Sequence, residues 1–142
     1  MTQRVVGKVA IVTGAGSTPG PGVGTGKACA VLLAREGASG LLVDLHRERA
    51  QETRALIEAD GGRCKVFAGD ATQAADCEAM VRTAVDAFGG VDILVNNIGR
   101  AALGTVVSTS EEEWDRSLDI NLRTMFLASK YAVPVMAQKG AG

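Results

Sequence analysis

The chain has 142 residues, a formal net charge of −1, 46% hydrophobic residues and 22% charged residues. These values are typical of a globular protein, and the interspersed charges exclude the basic patch expected of a nucleic-acid-binding protein. The N-terminal residues lack the apolar core of a signal peptide, and the apolar runs are too short to span a bilayer. Three cysteines far apart in the sequence favour a reducing compartment, so we expect a cytoplasmic protein. The length predicts one domain over 1–142, and the charge and hydropathy predict that it binds neither nucleic acid nor membrane.

The first predicted strand, at 8–13, leads into a glycine-rich loop. Six glycines follow from position 14 to position 26, and we predict that the first helix occupies 26–36 because an earlier start would place glycines inside it. Pro19-Gly20 and Pro21-Gly22 predict two successive turns, with proline setting φ and glycine taking the positive angle. A strand, a glycine loop and a helix N-terminus together favour a phosphate-binding site, with a plain surface loop as the alternative.

Further strands and helices alternate along the rest of the chain. Strands are predicted at 40–44, 64–68 and 91–95, and helices at 47–59, 74–88 and 111–138. Thr72 is the predicted N-cap of the third helix, and Ser110 with Glu113 predicts a capping box for the last. Nearly continuous apolar strands that alternate with helices are typical of a parallel sheet covered on both faces. We therefore predict a Rossmann-type, doubly wound α/β fold with four strands in the order 3-2-1-4.

In such a sheet, ligands bind at the carboxyl ends of the strands. Asp44 ends the second strand 18 residues after Gly26, a spacing that predicts a carboxylate for the hydroxyls of an adenosine ribose. A helix N-cap or first-turn acid is the alternative. A carboxylate there would repel a 2′-phosphate, which favours NAD over NADP, although Arg47 and Lys27 lie close enough in sequence to weaken this preference.

The ends of the third and fourth strands carry two further motifs. Asp70, which follows Gly69, could accept a hydrogen bond from an adenine amino group or could simply form a turn. The segment 96–99 (NNIG) ends a buried strand next to the glycine loop. We expect this segment to line a cofactor crevice at the topological switch point, with an ordinary turn as the alternative.

Together these motifs resemble the short-chain dehydrogenase/reductase family. The matches are TGAGS…GTG at 13–26, VD at 43–44, GDA at 69–71, NNIG at 96–99 and EEEWDRSLDINLRTMF at 111–126. The resemblance implies that a nicotinamide dinucleotide is held by the residues matching these motifs, namely Gly14, Ser17, Gly24, Thr25, Gly26, Asp44, Asp70, Ala71, Asn96, Ile98 and Gly99. The sequence departs from the family where 18–23 interrupt the glycine motif and where Ile98 replaces the commoner alanine.

Of the catalytic residues that the resemblance implies, only Asn121 is matched. The family uses an Asn, a Ser and a Tyr-x-x-x-Lys pair, in which the lysine lowers the pKa of the phenol. Tyr131 is the single tyrosine and has Val135 four residues later, so we expect it to pack in the helix. The resemblance gives Asn121 the role of holding a water of the proton relay, whereas the pattern alone allows a tolerated polar residue.

Apolar residues recur along the last predicted helix at three- and four-residue spacing, which predicts one apolar stripe with Asn121 beside it. The stripe consists of Trp114, Leu118, Leu122, Met125, Ala132 and Met136. His46 has no nucleophile or ligand partner at a suitable spacing and is expected on the surface. No His, Cys, Asp or Glu cluster has metal-ligand spacing, so we predict no metal.

The resemblance therefore implies the NAD-binding part of an NAD(P)-dependent oxidoreductase that interconverts secondary alcohols and carbonyls. The chain is expected to end before the catalytic Ser and Tyr-x-x-x-Lys, to be inactive alone, and to leave the fourth strand as an apolar edge. A full-length form is expected to act on a small alcohol or carbonyl and to form homo-oligomers through the last helix. The alternatives are a naturally short dinucleotide-binding or interaction module, or another enzyme class on this scaffold, such as an epimerase.

Overall fold

The computed structural model describes residues 3–140, in which four parallel strands form one sheet in the order β3-β2-β1-β4. The strands are β1 (Val9–Thr13), β2 (Ser39–Asp44), β3 (Arg63–Ala68) and β4 (Ile93–Val95). The helices are α1 (Thr25–Arg35), α2 (Arg47–Ala59), α3 (Ala74–Phe88), α4 (Glu111–Leu118) and α5 (Thr124–Gln138). The predicted doubly wound α/β fold and its strand order are confirmed.

Helices cover both faces of the sheet, as predicted. Side chains alternate between the faces along each strand. Val12 and Leu42 therefore point towards α1 and α2, whereas Ile11 and Leu41 pack with α3 and α5 on the other face. These four side chains are at most 1% exposed, so the sheet centre is fully covered.

The strand register places the functional ends of the strands side by side. Thr13 pairs with Val43, and Asp44 pairs with Ala68 at the end of β3. On the other side of β1, the Thr13 hydroxyl donates to the Val95 carbonyl oxygen at 3.1 Å. The connections that leave β1, β2, β3 and β4 consequently begin along one edge of the sheet.

The fourth strand is shorter than predicted, beginning at Ile93 rather than at position 91. A side chain takes the place of the first ladder bond: the Val9 N–H donates to Asp92 Oδ2 at 2.8 Å. The Asp92 N–H donates to the Val9 carbonyl oxygen at 2.8 Å. The same carboxylate accepts from Lys139 Nζ at 2.7 Å, which ties the end of α5 to the sheet.

The predicted helix caps have different outcomes. Gln73, not Thr72, is the N-cap of α3, because the Thr72 N–H and hydroxyl both donate to Asp70 Oδ1. Ser110 caps α4 as predicted, since its Oγ accepts from the Glu113 N–H at 3.1 Å. The Glu113 carboxylate instead pairs with Arg100 at 3.2 Å, so only the Ser110 half of the predicted capping box is formed.

The predicted last helix is interrupted by a π-helical turn, Asp119–Arg123, between α4 and α5. One extra residue turns the following helix face by about 100° relative to a regular helix. The single predicted stripe is therefore wrong: Trp114, Leu118, Leu122 and Met125 are 40–60% exposed, whereas Ala132 is buried. Leu127, Ala128 and Ala132 make the contact of α5 with the core.

Candidate cofactor-binding site

A crevice of about 550 Å³ lies at the carboxyl edge of the sheet, where ligands bind in doubly wound folds. Most of the sequence-predicted site residues line it: Gly14, Ser17, Gly24, Thr25, Gly26, Asp44, Asp70, Ala71, Ile98 and Gly99. Asn96 and Asn121 lie outside this lining. The fold thus brings together motifs from the ends of all four strands.

The glycine loop holds the start of α1 close to β1. Gly14 has φ +63°, a conformation that favours glycine, and a Cβ on Gly26 would collide with the Gly14 carbonyl oxygen. The first helical hydrogen bond of α1 is donated by the Ala28 N–H to the Gly24 carbonyl oxygen. The N–H groups of Thr25 and Gly26 precede this bond, and both residues line the crevice, so the loop fits a diphosphate group.

The insertion at 18–23 leaves this loop closed at its base. The Gly24 N–H donates to Ser17 Oγ at 2.8 Å, which joins the residues on either side of the insertion. The expected pair of successive turns is wrong: 19–22 form bends, and Gly20 has a positive φ of 150° whereas Gly22 does not. The hydrogen bond between Gly24 and Ser17 already closes the base of the loop, and residues 19–23 are exposed to solvent. Hydrogen bonds within 19–23 are therefore not needed to hold the loop in place.

Asp44 is held by two backbone donors at the end of β2. Its Oδ2 accepts from the Gly16 N–H at 2.9 Å, and its Oδ1 accepts from the His46 N–H at 2.9 Å. His46 is the N-cap of α2, so the alternative that Asp44 caps this helix is excluded. Each carboxylate oxygen can accept a further hydrogen bond, which suits Asp44 to bind ribose hydroxyls.

The basic residues near Asp44 differ from those expected. Arg47 and Lys27 do not line the crevice, and Lys27 Nζ lies 3.6 Å from the Glu52 carboxylate. Arg49 lines it instead, because α2 begins at Arg47 and its first turn carries Arg49 against Gly16. The sequence pattern does not reveal this contact, because it depends on how α2 packs against the glycine loop. His46 is exposed, as predicted, but belongs to the crevice rim.

Asp70 forms a turn and also lines the crevice, so a role in the turn does not exclude a role in binding a ligand. Its Oδ1 accepts from the Thr72 N–H at 2.9 Å, and its own N–H donates to Asp76 Oδ2 at 2.7 Å. Ala71 beside it is 5% exposed. The connection after β3 is therefore a fixed part of the crevice wall.

The expected place of Asn96 on the crevice wall needs correction. Its Nδ2 donates to Ser129 Oγ on α5 at 3.2 Å, away from the lining. Asn97 lines the crevice instead and donates from Nδ2 to the Gly14 carbonyl oxygen at 3.1 Å. Neighbouring residues of an extended segment point to opposite sides, so the two asparagines cannot share one role.

The Asn121 side chain links the segment that follows β4 to the π-helical turn. Its Oδ1 accepts from the Arg100 N–H, and its Nδ2 donates to the carbonyl oxygens of Arg100 and Ser117, each at 2.9 Å. Arg100 lines the crevice, so Asn121 positions part of the wall through its neighbour. The role of Asn121 in a proton relay stays a prediction.

The described residues 3–140 contain no group of three or more His, Cys, Asp and Glu side chains placed to hold a metal ion. Over the same range, each helix is too short or too polar to cross a bilayer. The crevice offers backbone N–H groups, hydroxyls, two carboxylates and arginine side chains. These groups suit a polar ligand that carries both phosphate and hydroxyl groups.

Comparisons with known proteins agree with this geometry. The family model described as enoyl-(acyl carrier protein) reductase matches residues 21–142. An uncharacterized oxidoreductase of Thermotoga maritima is 42% identical over 136 residues, covering 96% of this chain and 51% of the relative. Cyclohexanol dehydrogenase of an Acinetobacter species is 37% identical, covering 100% of this chain and 55% of the relative.

A solved structure shows the same arrangement of the chain. The crystal structure of a Burkholderia xenovorans protein assigned to the short-chain dehydrogenases/reductases matches with a TM-score of 0.93 and 45% identity. The match covers 98% of this chain and 55% of that one. This chain therefore spans about half the length of the relatives that it matches. The family match, the relatives and the fold agree, and the chain belongs to the short-chain dehydrogenase/reductase family.

Proposed function

We propose that this chain binds NAD in the crevice and forms the cofactor-binding part of an oxidoreductase that interconverts secondary alcohols and carbonyls. One observation carries the proposal: the Asp44 carboxylate is fixed by the Gly16 N–H beside the N-terminus of α1. An acid and a helix N-terminus at adjoining strand ends match the ribose and diphosphate of a dinucleotide. Residues 1–142 would act as a single cofactor-binding domain.

Each part of the crevice has a role in this proposal. The backbone of Gly14, Gly24, Thr25 and Gly26 would hold the diphosphate, and Ser17 would keep the loop closed. Asp44 would accept the ribose hydroxyls, with Asp70 and Ala71 beside the adenine, and Ile98 and Gly99 would complete the wall at the end of β4. A bound nicotinamide would supply hydride-transfer chemistry. The chain's own part is to bind and orient it.

We propose a preference for NAD over NADP. The Asp44 carboxylate would face the 2′ position of the ribose, where a second negative group raises the free energy of the complex. The substrate of the full protein would be a small alcohol or carbonyl, and the name of the Acinetobacter relative supports an alcohol. The cytoplasmic location stays a prediction.

We also propose that these 142 residues alone do not turn over substrate. In the family pattern, a lysine four residues after the tyrosine prepares the phenol for proton transfer. Tyr131, on α5, is partly buried against the core, and the residue four positions later is Val135. Asn121 would be the single family catalytic residue present, so the relay would lack its proton donor.

Homo-oligomers of the full-length form are proposed to use the outer face of α4, the π-helical turn and α5. This face carries several large apolar side chains that are 40–60% exposed, namely Trp114, Leu118, Leu122, Met125, Phe126 and Val133. Large apolar side chains that are exposed in number along neighbouring helices are typical of an interaction surface. A second copy would cover it and remove the apolar area from water.

Titration of the purified chain with NADH, followed by calorimetry, tests the proposal. We expect saturable 1:1 binding. Asp44→Ala should weaken it about tenfold or more, because a charge-assisted hydrogen bond to the ribose is lost. The matched control is Asp86→Ala, an exposed acid on α3 outside the crevice, which should bind like the unchanged chain. A folded chain that NADH does not saturate would contradict the proposal.

A further inference from the structure

One part of the glycine loop has no role in the proposed function: the insertion 18–23 (TPGPGV), where the sequence departs from the glycine motif of the family. We call this segment the strap. All six of its residues are exposed, and Val23 is 71% exposed. A Cβ built on Gly20 or Gly22 would meet no atom of residues 3–140 within 4 Å. The middle of the strap is therefore not held in place by packing.

The two ends of the strap, in contrast, are fixed at the crevice. The Gly24 N–H donates to Ser17 Oγ at 2.8 Å, and a Cβ on Gly24 would lie 3.4 Å from the Ser17 Cα. Ser17, Thr18 and Gly24 line the crevice, whereas 19–23 do not. Because its ends already touch, the strap can move about this base without any change in the rest of the glycine loop.

The strap carries hydrogen-bond donors that no residue within 3–140 uses. Four backbone N–H groups make no hydrogen bond over this range, those of Thr18, Gly20, Gly22 and Val23, and the Thr18 hydroxyl makes none either. The two prolines of the strap have no N–H and fix φ, which limits the number of conformations that the segment can take. A stiff segment loses less entropy when it is ordered on a ligand, so the strap is suited to close on one.

The strap is also long enough to cover a ligand at the N-terminus of α1. There the N–H groups of Thr25 and Gly26 are proposed to hold the diphosphate, and a helix N-terminus contacts a phosphate from one side only. Six residues that leave and return to one base extend about 10 Å, since each residue spans about 3.3–3.6 Å of chain. This reach is about the diameter of a helix. The strap can therefore cover the side of a diphosphate that α1 does not reach.

We propose that the strap closes over the diphosphate of the bound dinucleotide, donates hydrogen bonds to it, and thereby slows its release. Association takes place through the open strap of this structure, whereas release requires a closed strap to open first, so the strap acts mainly on the release rate. This inference rests on the proposed function, since it needs a dinucleotide in the same crevice. It adds control of the exchange rate, which the glycine motif without the insertion does not provide.

The test compares the release of NADH from the full chain and from a variant without 18–23, in which Ser17 is joined directly to Gly24. Stopped-flow fluorescence measures release after the complex is mixed with excess NAD. The deletion should raise the release rate about tenfold, because charge-assisted hydrogen bonds to the diphosphate are lost, and should change the association rate by less than about twofold. A folded deletion variant that releases NADH within about twofold of the full chain would overturn the inference.

Gly22→Ala is the matched control for the deletion. The variant keeps the length and the N–H groups of the strap, and its Cβ has no neighbour within 4 Å among residues 3–140. It should release NADH within about twofold of the unchanged chain. Release as fast as from the deletion variant would show that the length and the donors of the strap do not set the rate, and would overturn the inference.

Two smaller ligands show which part of the dinucleotide the strap covers. The deletion should weaken the binding of ADP about tenfold and that of adenosine by less than about twofold, because only ADP carries a diphosphate. NMR titration measures both affinities. Equal weakening of ADP and adenosine would overturn the inference, since the strap would then act on the adenosine part.

A measurement on the unchanged chain tests the same proposal if the deletion variant does not fold. The amides of Gly20, Gly22 and Val23 should exchange with water about tenfold more slowly in the chain saturated with NADH, because a closed strap is withdrawn from solvent. NMR measures these exchange rates, and unchanged rates at saturation would overturn the inference. If the folded chain bound neither NADH nor ADP, the proposed function itself would fail, which is a distinct result.

Discussion

The two walls of the crevice are built in different ways. The wall after β1 and β2 is a set of short hydrogen bonds between the glycine loop and its neighbours, such as Gly16 to Asp44 and Thr53 to Ala15. The wall that runs from Arg100 through the π-helical turn is joined mainly by the Asn121 amide. Beyond it, Leu103, Val106 and Val107 are at least 91% exposed.

The first wall is therefore organised for ligand binding by contacts within this chain, whereas the second wall leaves apolar surface that further contacts would cover. On the first wall, donors and acceptors for a dinucleotide are held before any ligand arrives, which lowers the entropy cost of binding. On the second, large apolar side chains face solvent, as on surfaces that another protein segment covers. We therefore expect cofactor binding to depend on the first wall and association to depend on the second.

Gly26→Ala should have the largest effect, because it forces the first wall apart. The new Cβ would collide with the Gly14 carbonyl oxygen and Asn97 Nδ2, which are parts of the cradle itself. We expect NADH binding to be abolished and the free energy of unfolding to fall by about 1–3 kcal/mol. Calorimetry and urea denaturation measure the two effects.

The control for this change is Gly22→Ala, where the added Cβ has no neighbour within 4 Å and φ is not positive. It should leave both quantities unchanged. A folded Gly26→Ala chain that binds NADH as tightly as the unchanged chain would show that the loop need not be held closed for binding.

Asp92→Asn should have an intermediate effect, because it loosens the tie between α5 and the sheet. Burial raises the pKa of Asp92, but hydrogen bonds from Lys139 and the Val9 N–H, with the charges of Lys139 and Lys8, outweigh this and lower it. The Asp92 side chain is 5% exposed. Loss of this charge-assisted pair should reduce the free energy of unfolding by about 1–2 kcal/mol.

The pH dependence of the same variant gives a second readout. Because its pKa is lowered in the folded state, ionised Asp92 stabilises the fold fully above its ordinary pKa of 3.8. That contribution is lost as the pH falls through the folded-state pKa. The difference between the unchanged chain and Asp92→Asn should therefore shrink below about pH 4, whereas Asp86→Asn, on the exposed face of α3, should give no such difference. An unchanged difference at low pH would contradict the role of this carboxylate.

Leu122→Glu should have the smallest effect on stability, because Leu122 is 53% exposed on the second wall. The free energy of unfolding should change by less than about 0.5 kcal/mol, while any self-association seen by analytical ultracentrifugation should weaken. Leu56→Glu on α2, with 50% exposure on the opposite face of the sheet, is the matched control and should leave association unchanged. Equal effects of the two changes would count against an interface on α4 and α5.

Most of the fold follows from local sequence patterns. The apolar runs of β1 to β3 and the glycines that end α1 and α3, Gly37 and Gly89, determine those elements with little help from the rest of the chain. The β4 boundary could not be predicted, because it depends on Asp92 meeting Val9, residues far apart in sequence. The π-helical turn was also beyond reach, since hydrophobic spacing assumes a regular helix.

The parts of the site whose backbone is determined by a sequence motif could be predicted. The orientation of individual side chains could be predicted less well. The glycine loop and Asp44 line the crevice as expected. Which of Asn96 and Asn97 faces the crevice depends on how the extended segment after β4 is rotated about its axis. Two identical neighbouring residues give no indication of that rotation. Arg49 needs the packing of α2 on Gly16, a tertiary contact without a sequence signature.

The most direct test of the account is to map the amide signals of the labelled chain by NMR during titration with NADH. We predict shifts confined to the crevice segments 14–26, 44–49, 69–72 and 97–100, with the C-terminal ends of α2 and α5 unchanged. Shifts centred on the apolar face around Trp114 and Leu122, with none in the glycine loop or at Asp44, would contradict the assignment of this crevice to the dinucleotide.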